Sequence, residues 1–304
     1  MNQVRKFSLT NSKGETISIN NDEDLFGYSP EGLGVSFSND YYGSNGNFLV
    51  SSIALNQPVF SIRLLFGTDK QRYYQKYNDF INFLNYQPLT LNYSVVEVGT
   101  FKRDCRLREL TKTEINEWNI IDESLELEFL TPWYQWIEGK HTEYIDQPAD
   151  GKIYINTDMG NNEGFYVYSY VYEEQNDESR GQFKISNDSI YMGVSEGSPL
   201  EITIYGGDTG VTDPSWELYS GSELIQNDRY FIDIPPGYEF VVSSVPHNQF
   251  VRLVAPDGTI SNVYQTQDMT KTNFITIPVG VFALKFETGG AVVKYRMRRE
   301  MVAI

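Results

Sequence analysis

Apolar side chains recur at every second position through most of this chain, the spacing of strands that bury one face. Phe7 and Leu9 alternate with polar neighbours, Asn11-Ser12-Lys13-Gly14 supplies turn residues, and Ile17 and Ile19 resume the alternation. This pattern predicts an opening β-hairpin. Gly32-Leu33-Gly34-Val35-Ser36-Phe37 and Val59-Phe60-Ser61-Ile62-Arg63-Leu64 read as further short strands. The period then changes. From Thr68 or Asp69, either able to cap a helix N-terminus, Tyr73, Tyr77, Phe80, Ile81 and Leu84 follow helical spacing until Pro88 stops the run. This is the one long helix of the reading. Leu89 to Tyr93 and Phe101 to Leu110 are again extended. Thr111-Lys112-Thr113-Glu114 fits a capping box and predicts a short helical turn. Leu125-Glu126-Leu127-Glu128-Phe129 alternates strictly, and Thr131 to Trp136 closes the first half.

The second half reads as strands punctuated by turns. Glu201 to Tyr205 ends at Gly206-Gly207, and Phe231 to Ile234 ends at Pro235-Pro236-Gly237. Val251 to Ala255 and Thr259 to Tyr264 flank Pro256-Asp257-Gly258, while Phe274 to Ile277 ends at Pro278-Val279-Gly280. Turn signals at intervals of roughly 8 to 20 residues, with no helical stretch between them, predict an antiparallel β-sandwich. The expected fold class is therefore mainly β with one long helix.

A length of 304 residues is a prior for two domains, and 40% apolar with 14% aromatic residues is enough to build their cores. Charge sharpens the division. Residues 1–138 carry 12 basic and 18 acidic side chains, residues 139–291 carry 8 and 22, and residues 292–304 carry 4 and 1. The expected organisation is an N-terminal domain over 1–138, a C-terminal β-sandwich over 139–291, and a closing strand, 292–304, that leaves the second domain and docks on the first. Val293-Lys294-Tyr295-Arg296-Met297-Arg298 alternates apolar with basic residues, as that strand requires.

The net charge of -17 argues against nucleic-acid binding, which draws its affinity from clustered Lys and Arg. The N-terminal residues lack the apolar core and cleavage site of a secretory signal, and no apolar run reaches the roughly 18 residues of a membrane span. A product made in a cytoplasm, soluble there and not inserted into membrane, is expected. A single cysteine, Cys105, forbids an intrachain disulfide, and its setting reads as a strand residue facing a core. His141 and His247 are far apart and have no Cys neighbours, so structural zinc is not expected. Asn156-Thr157-Asp158-Met159-Gly160-Asn161 resembles the start of a calcium loop, but its fifth position is Gly160 and its twelfth is Val167, so a turn is assigned. Asp208 and Asp213 share a short loop and read as solvated acids. No nucleophile elbow, zinc-protease helix or phosphate-binding loop occurs. No catalytic, cofactor-binding or metal-ligating residue is assigned, and the expectation is a non-enzyme without cofactor. A cell-wall glycosidase needs a defined carboxylate pair, which nothing here singles out. Trp216 and Tyr219 follow Pro214, and Tyr166, Tyr168, Tyr170 and Tyr172 share one strand face. Such rings suit both sugar stacking and protein contacts, and burial in the sandwich or at a subunit contact is the expectation.

Several pieces occur in a recognisable order over residues 5 to 136. They are Thr10-Asn11-Ser12-Lys13-Gly14-Glu15, the Gly32-Leu33-Gly34 segment, and the aromatic helix ending before Pro88-Leu89-Thr90-Leu91. Cys105-Arg106-Leu107 through Leu110-Thr111-Lys112-Thr113-Glu114-Ile115 follows, then Leu127-Glu128-Phe129 before Trp133-Tyr134. Together they resemble the distal tail proteins of long-tailed, non-contractile bacteriophages, a tail-tip and baseplate hub family. The resemblance implies a β-sandwich-like N-terminal domain that forms a ring of copies, generally six-fold, at the virion tail tip. The ring would join the tail tube protein above to the tail-tip or tail-associated protein below. It also implies a galectin-like or carbohydrate-binding-module-like C-terminal domain where receptor-binding or other baseplate proteins dock. The second half matches more loosely, and no sugar-contacting residue is carried over. The long arm extensions of some relatives are not expected. The alternative reading is a carbohydrate-binding adhesion module that recognises host cell-wall saccharide through the C-terminal domain.

Overall fold

The structure, a computed structural model, describes residues 5–20, 25–67, 73–115, 120–142, 153–156, 165–168, 182–193, 195, 197–289 and 291–304. Its strands in the first half are β1 (Arg5–Thr10), β2 (Thr16–Ser18), β3 (Leu25–Glu31), β4 (Phe37–Ser44), β5 (Asn47–Leu55), β6 (Val59–Phe66), β7 (Leu89–Val95), β8 (Gly99–Leu110), β9 (Ile121–Phe129) and β10 (Trp133–Thr142), with helix α1 (Tyr73–Leu84) after β6. The later strands are β11 (Ile153–Asn156), β12 (Phe165–Tyr168), β13 (Gln182–Asn187), β14 (Ser198–Tyr205), β15 (Val211–Thr212), β16 (Ser215–Ser220), β17 (Glu223–Arg229), β18 (Asp233–Ile234), β19 (Glu239–Ser243), β20 (Phe250–Val254), β21 (Ile260–Asn262), β22 (Thr276–Ile277), β23 (Gly280–Glu287) and β24 (Val292–Met301).

The chain forms two compact units. The first comprises Met1–Trp136, Asp188–Glu196 and Arg298–Ile304; the second comprises Ile137–Asn187 and Gly197–Met297.

In the first unit, β2, β1, β7 and the first half of β8 form one antiparallel sheet, and β3, β6, β9 and the second half of β8 form another. Strand β8 belongs to both, changing partner at Cys105, which faces Leu89 on one side and Phe129 on the other. The sheets meet through aromatic rings. Phe7 lies 5.7 Å from Phe60 and stacks on Tyr93 at 4.9 Å, while Phe60 reaches Phe129 at 6.1 Å. Each such side chain, once buried, contributes about 1.5 to 3 kcal/mol.

The opening hairpin forms as its pattern predicts, with Phe7, Leu9 and Ile19 buried. Its turn is held by Asn11, whose Oδ1 accepts the amides of Lys13 (3.0 Å) and Glu15 (3.1 Å). Strand β9 alternates buried and half-buried positions along its whole length. Gly27 in β3 permits close packing, since a Cβ there would sit 2.5 Å from Ile19 Cγ2 and 2.8 Å from Ile62 Cδ1.

Three local expectations are corrected. Gly32 to Ser36 is not a strand, because Gly32 adopts φ +83° where a Cβ would collide with the Val59 carbonyl, and this ends β3; pairing resumes at Phe37. In α1 the buried side chains are Tyr77, Phe80, Phe83 and Leu84, whereas Ile81 is exposed. Phe66 sets this rotation of the helix, with Tyr77 and Phe80 packing on it at 5.3 and 5.6 Å. Thr68 and Asp69, expected at the helix start, lie outside the described residues. Finally, Thr111 to Glu114 forms no helical turn. The buried carboxylate of Glu123 takes the place of the expected cap. It accepts Thr111 Oγ1 at 2.6 Å, Thr113 Oγ1 at 2.8 Å and the Thr113 amide, while Glu114 instead accepts the Tyr74 hydroxyl.

The separate segments of the first unit are stitched into it by backbone pairing. Ile190 bridges Met301 in parallel, its amide donating to the Glu300 carbonyl and its carbonyl accepting the Val302 amide. Met301 joins the unit's core. Beside it, the buried Arg298 and Glu300 side chains form an ion pair, and the Arg298 guanidinium lies 5.0 Å from the Tyr134 ring centre.

The second unit is an antiparallel sandwich. One sheet runs β13-β23-β16-β17; the other runs from Val292–Met297 of β24 through β14, β19 and β20 to β21. Between them Trp216 stacks on Tyr230 at 5.3 Å and reaches Phe286 at 6.2 Å, and Tyr230 meets Phe240 edge-on at 5.1 Å. Ile202, Ile204, Val242, Val251, Val293 and Met297 complete this core.

Candidate functional site

The most unusual surface of the first unit is the β4–β5 hairpin. Its strands pair from Phe37↔Leu55 to Ser44↔Asn47, with a bulge at Asp40/Tyr41, and the turn places Asn45 and Gly46 at φ +51° and +79°. Asn-Gly at two left-handed positions is the preferred chemistry of a two-residue hairpin turn. Among the described strands, β4 and β5 pair only with each other. A two-stranded ribbon is marginal in water without a further layer to cover a face, and this one carries a large apolar load. Tyr42, Phe48 and Leu49 are 73%, 73% and 72% exposed, and Tyr41, Val50 and Ile53 are exposed as well. Both faces are apolar at the tip, since Tyr42 pairs with Leu49 and the neighbouring Tyr41 pairs with Val50. Asp40 is the sole charged residue from Phe37 to Leu55. Exposed apolar area of this kind is characteristic of interaction surfaces.

A second apolar surface lies at β3, which pairs only with β6 among the described strands and ends near Pro30. Phe26, Gly27, Tyr28 and Pro30 line a shallow groove there with Phe7 and Arg5. Phe26 is 47% exposed.

The titratable candidates are placed as follows. Cys105 is fully buried in β8, and burial pushes its thiol up to about 12. His247 sits exposed at a turn with φ +62°, and the His141 side chain lies outside the described residues. So do the Asn156 to Asn161 loop beyond its first residue, and the tyrosine side chains from Tyr166 to Tyr172. Asp213 pairs with Arg229 at 3.4 Å, and Asp208 is exposed in its turn. Among the described residues no cluster of three His, Cys, Asp or Glu side chains is placed to hold a metal ion. Trp216 is wholly buried, so it offers no stacking face to a ligand; Tyr219 is half-buried and donates its hydroxyl to Glu217 at 2.6 Å.

Sequence pattern missed the buried charges, among them Arg103, Asp228 and Glu300. Arg103 lies in the core of the first unit with its guanidinium 4.0 Å from the Phe129 ring centre, its Nε donating to the Thr131 carbonyl. Burial draws its pKa down to about 10. Glu300, beside Arg298, is held above the usual carboxylate range by burial. Asp228 is buried opposite Trp216, and desolvation raises it to about 7.

No helix among the described residues is long and apolar enough to cross a membrane.

Comparisons with known proteins agree with this architecture. Residues 6–130 match the model of the distal tail protein, N-terminal domain. The chain is 27% identical over 176 residues to the distal tail protein of Lactococcus phage SK1, covering 55% of this chain and 58% of that protein. It is 29% identical over 160 residues to the distal tail protein of Lactococcus phage p2, covering 50% and 53%. The matched stretch thus spans somewhat more than half the length of these curated relatives. Among solved structures, a chain of the phage P2 baseplate in its activated conformation with Ca superposes with a TM-score of 0.70 at 18% identity, covering 99% of this chain and 100% of that one. The SPP1 Dit protein, described as a paradigm of the hub adsorption apparatus in phages that infect Gram-positive hosts, gives 0.58 at 9% identity over 96% and 98%. These two likenesses show that the fold is shared along nearly the whole chain. Over residues 6–130, the chain is similar to the N-terminal domain of distal tail proteins.

Proposed function

We propose that this protein is the structural hub of a bacteriophage tail tip, and that its first unit closes into a ring of copies, six-fold in the simplest case. In this reading the ring joins the tail tube protein to the tail-tip protein. The second unit anchors receptor-binding or other baseplate proteins and meets host wall saccharide. The domain family matched by residues 6–130 supports a tail-tip location. The observation that carries the reading is the β4–β5 hairpin, whose apolar side chains have no core of their own.

A ring requires two different surfaces per copy in head-to-tail contact. The hairpin supplies one and the groove at Phe26 is suited to be the other. Burying Tyr42, Phe48 and Leu49 in a neighbour would contribute about 1.5 to 3 kcal/mol for each side chain, before the cost of association. The role asks for no catalytic group.

The test is assembly. Light scattering after size exclusion and negative-stain images of the purified full chain, alone and mixed with its tail tube and tail-tip proteins, should show rings. Tyr42→Asp with Leu49→Asp should leave a folded monomer. A wild-type chain that stays monomeric at high concentration with both neighbours present would sink the proposal, as would intact rings from the double variant.

A further inference from the structure

The sheet of β24, β14, β19 and β20 has an outer face that the core of the second unit does not use. In β14 and β24, Ile202, Ile204, Val293 and Met297 point into the sandwich, so Glu201, Thr203, Tyr205, Lys294 and Arg296 stand on the other side. In β19, Glu239 and Val241 join them. A groove of about 650 Å³ runs along this face, within the size range of small-molecule sites.

Its lining is mixed in sign. Lys140, Lys294 and Arg296 contribute three cations; Glu138, Glu201 and Glu239 contribute three carboxylates. The strand register fixes their neighbours. Glu201 lies opposite Arg296, Thr203 lies between Lys294 and Val241, and Tyr205 lies opposite Glu239. Arg296 Nε donates to Glu201 Oε1 at 2.7 Å, and Lys294 Nζ lies 4.8 Å from the Tyr205 ring centre. At the groove's end the Tyr295 ring lies over Gly139, occupying the space a side chain there would fill. The groove is thus lined by donors and acceptors of both signs, with the Tyr295 ring at its end and the short side chains of Thr203 and Val241 between them.

Charge decides what such a groove accepts. A phosphate-bearing polymer gains from three cations but must lie against three carboxylates, and a basic peptide meets the reverse difficulty. A chain of hydroxyl groups both donates and accepts, so it satisfies both sets, with hydrogen bonds strengthened by the charge on each partner. The Tyr295 ring, which lines the groove, offers flat surface suited to the apolar face of a sugar ring.

We propose that this groove binds a short neutral oligosaccharide. The inference deepens the reading of the second unit as a surface that meets host saccharide, and it names the site and the ligand class.

The test uses the full chain in calorimetry and ligand-observed NMR. The probes are neutral di- to tetrasaccharides of glucose, galactose, rhamnose and N-acetylglucosamine, with polyglycerol phosphate and oligolysine as charged controls. At least one neutral probe should bind with a Kd of about 1 mM or tighter. Glu201→Gln and, separately, Thr203→Trp, which fills the groove floor, should each weaken it by at least about 10-fold, with the melting temperature kept. Failure of every neutral probe, binding that survives both variants, or preference for either charged control would overturn the proposal. Ring formation is scored on the same samples. Intact rings without sugar binding reject the groove alone, and sugar binding without rings rejects the hub alone.

Discussion

Trp216 donates its indole N–H to Asp228 Oδ2 at 3.0 Å, and both side chains are buried between the sheets of the second unit. The Ile275 amide donates to the same oxygen at 3.4 Å, whereas Oδ1 has no hydrogen-bond partner. One oxygen is thus cared for and the other is not, which is why desolvation lifts this carboxyl to about 7 from an ordinary value of 3.8.

The consequence is a pH-dependent stability of unusual direction. With the folded pKa raised above the unfolded one, the folded state binds more protons between pH 4 and 7, so stability falls as pH rises through that window. A shift of this size corresponds to about 4 kcal/mol, lost in full above pH 7. Asp228→Asn should therefore raise the melting temperature at pH 8 and change it little or downward at pH 5. Thermal scans at the two pH values check this, and an equal shift at both would contradict it.

Glu123 is a buried carboxylate that serves as the anchor of a loop. Its two oxygens hold Thr111 and Thr113 in place of a helical cap. Glu123→Ala leaves two hydroxyls and an amide without their acceptor and should cost about 2 to 4 kcal/mol, measured by denaturant unfolding. Glu123→Gln, which keeps an acceptor, should cost less.

Gly27 marks the closest approach of β3 to the rest of its unit. Gly27→Ala places a methyl group against Ile19 and Ile62, both fully buried, and should destabilise by about 1 to 3 kcal/mol. Gly14→Ala, with nothing within 4 Å of the added carbon, isolates the cost of backbone conformation alone and is its control.

Cys105 should be chemically silent. Its thiol is buried where two sheets exchange partners, and burial holds its pKa near 12, so almost no thiolate exists at pH 8. Iodoacetamide labelling followed by intact mass should give an unmodified native protein and one adduct after unfolding. Rapid labelling of the native protein would contradict the placement.

What the sequence makes legible follows from whether a segment answers to its own pattern. The hairpin of Phe7, Leu9 and Ile19 and the strand Ile121–Phe129 each bury one face on a local core, so period two reveals them. In α1 the periodicity locates the helix, but Phe66 decides its rotation and turns Phe83 inward and Ile81 out. The Thr111 segment satisfies a capping rule that a carboxylate ten residues later overrides. The β4–β5 hairpin is invisible as a site in the sequence, because its tyrosines and leucines have the composition of a core and only the three-dimensional arrangement shows them exposed. The groove at Thr203 was equally hidden, since its charges come from four separate stretches of chain and acquire meaning only through register.

The composition of the first unit has a consequence for how the chain matures. Its core includes Met301, and its backbone is closed by the pairing of Ile190 with residues 300 to 302. Those residues leave the ribosome only after every residue of the second unit has been made. The first unit therefore cannot be completed during its own synthesis and must hold an open seam while about 160 further residues are added. The C-terminal residues thus act as the closing seam of the unit that the chain began.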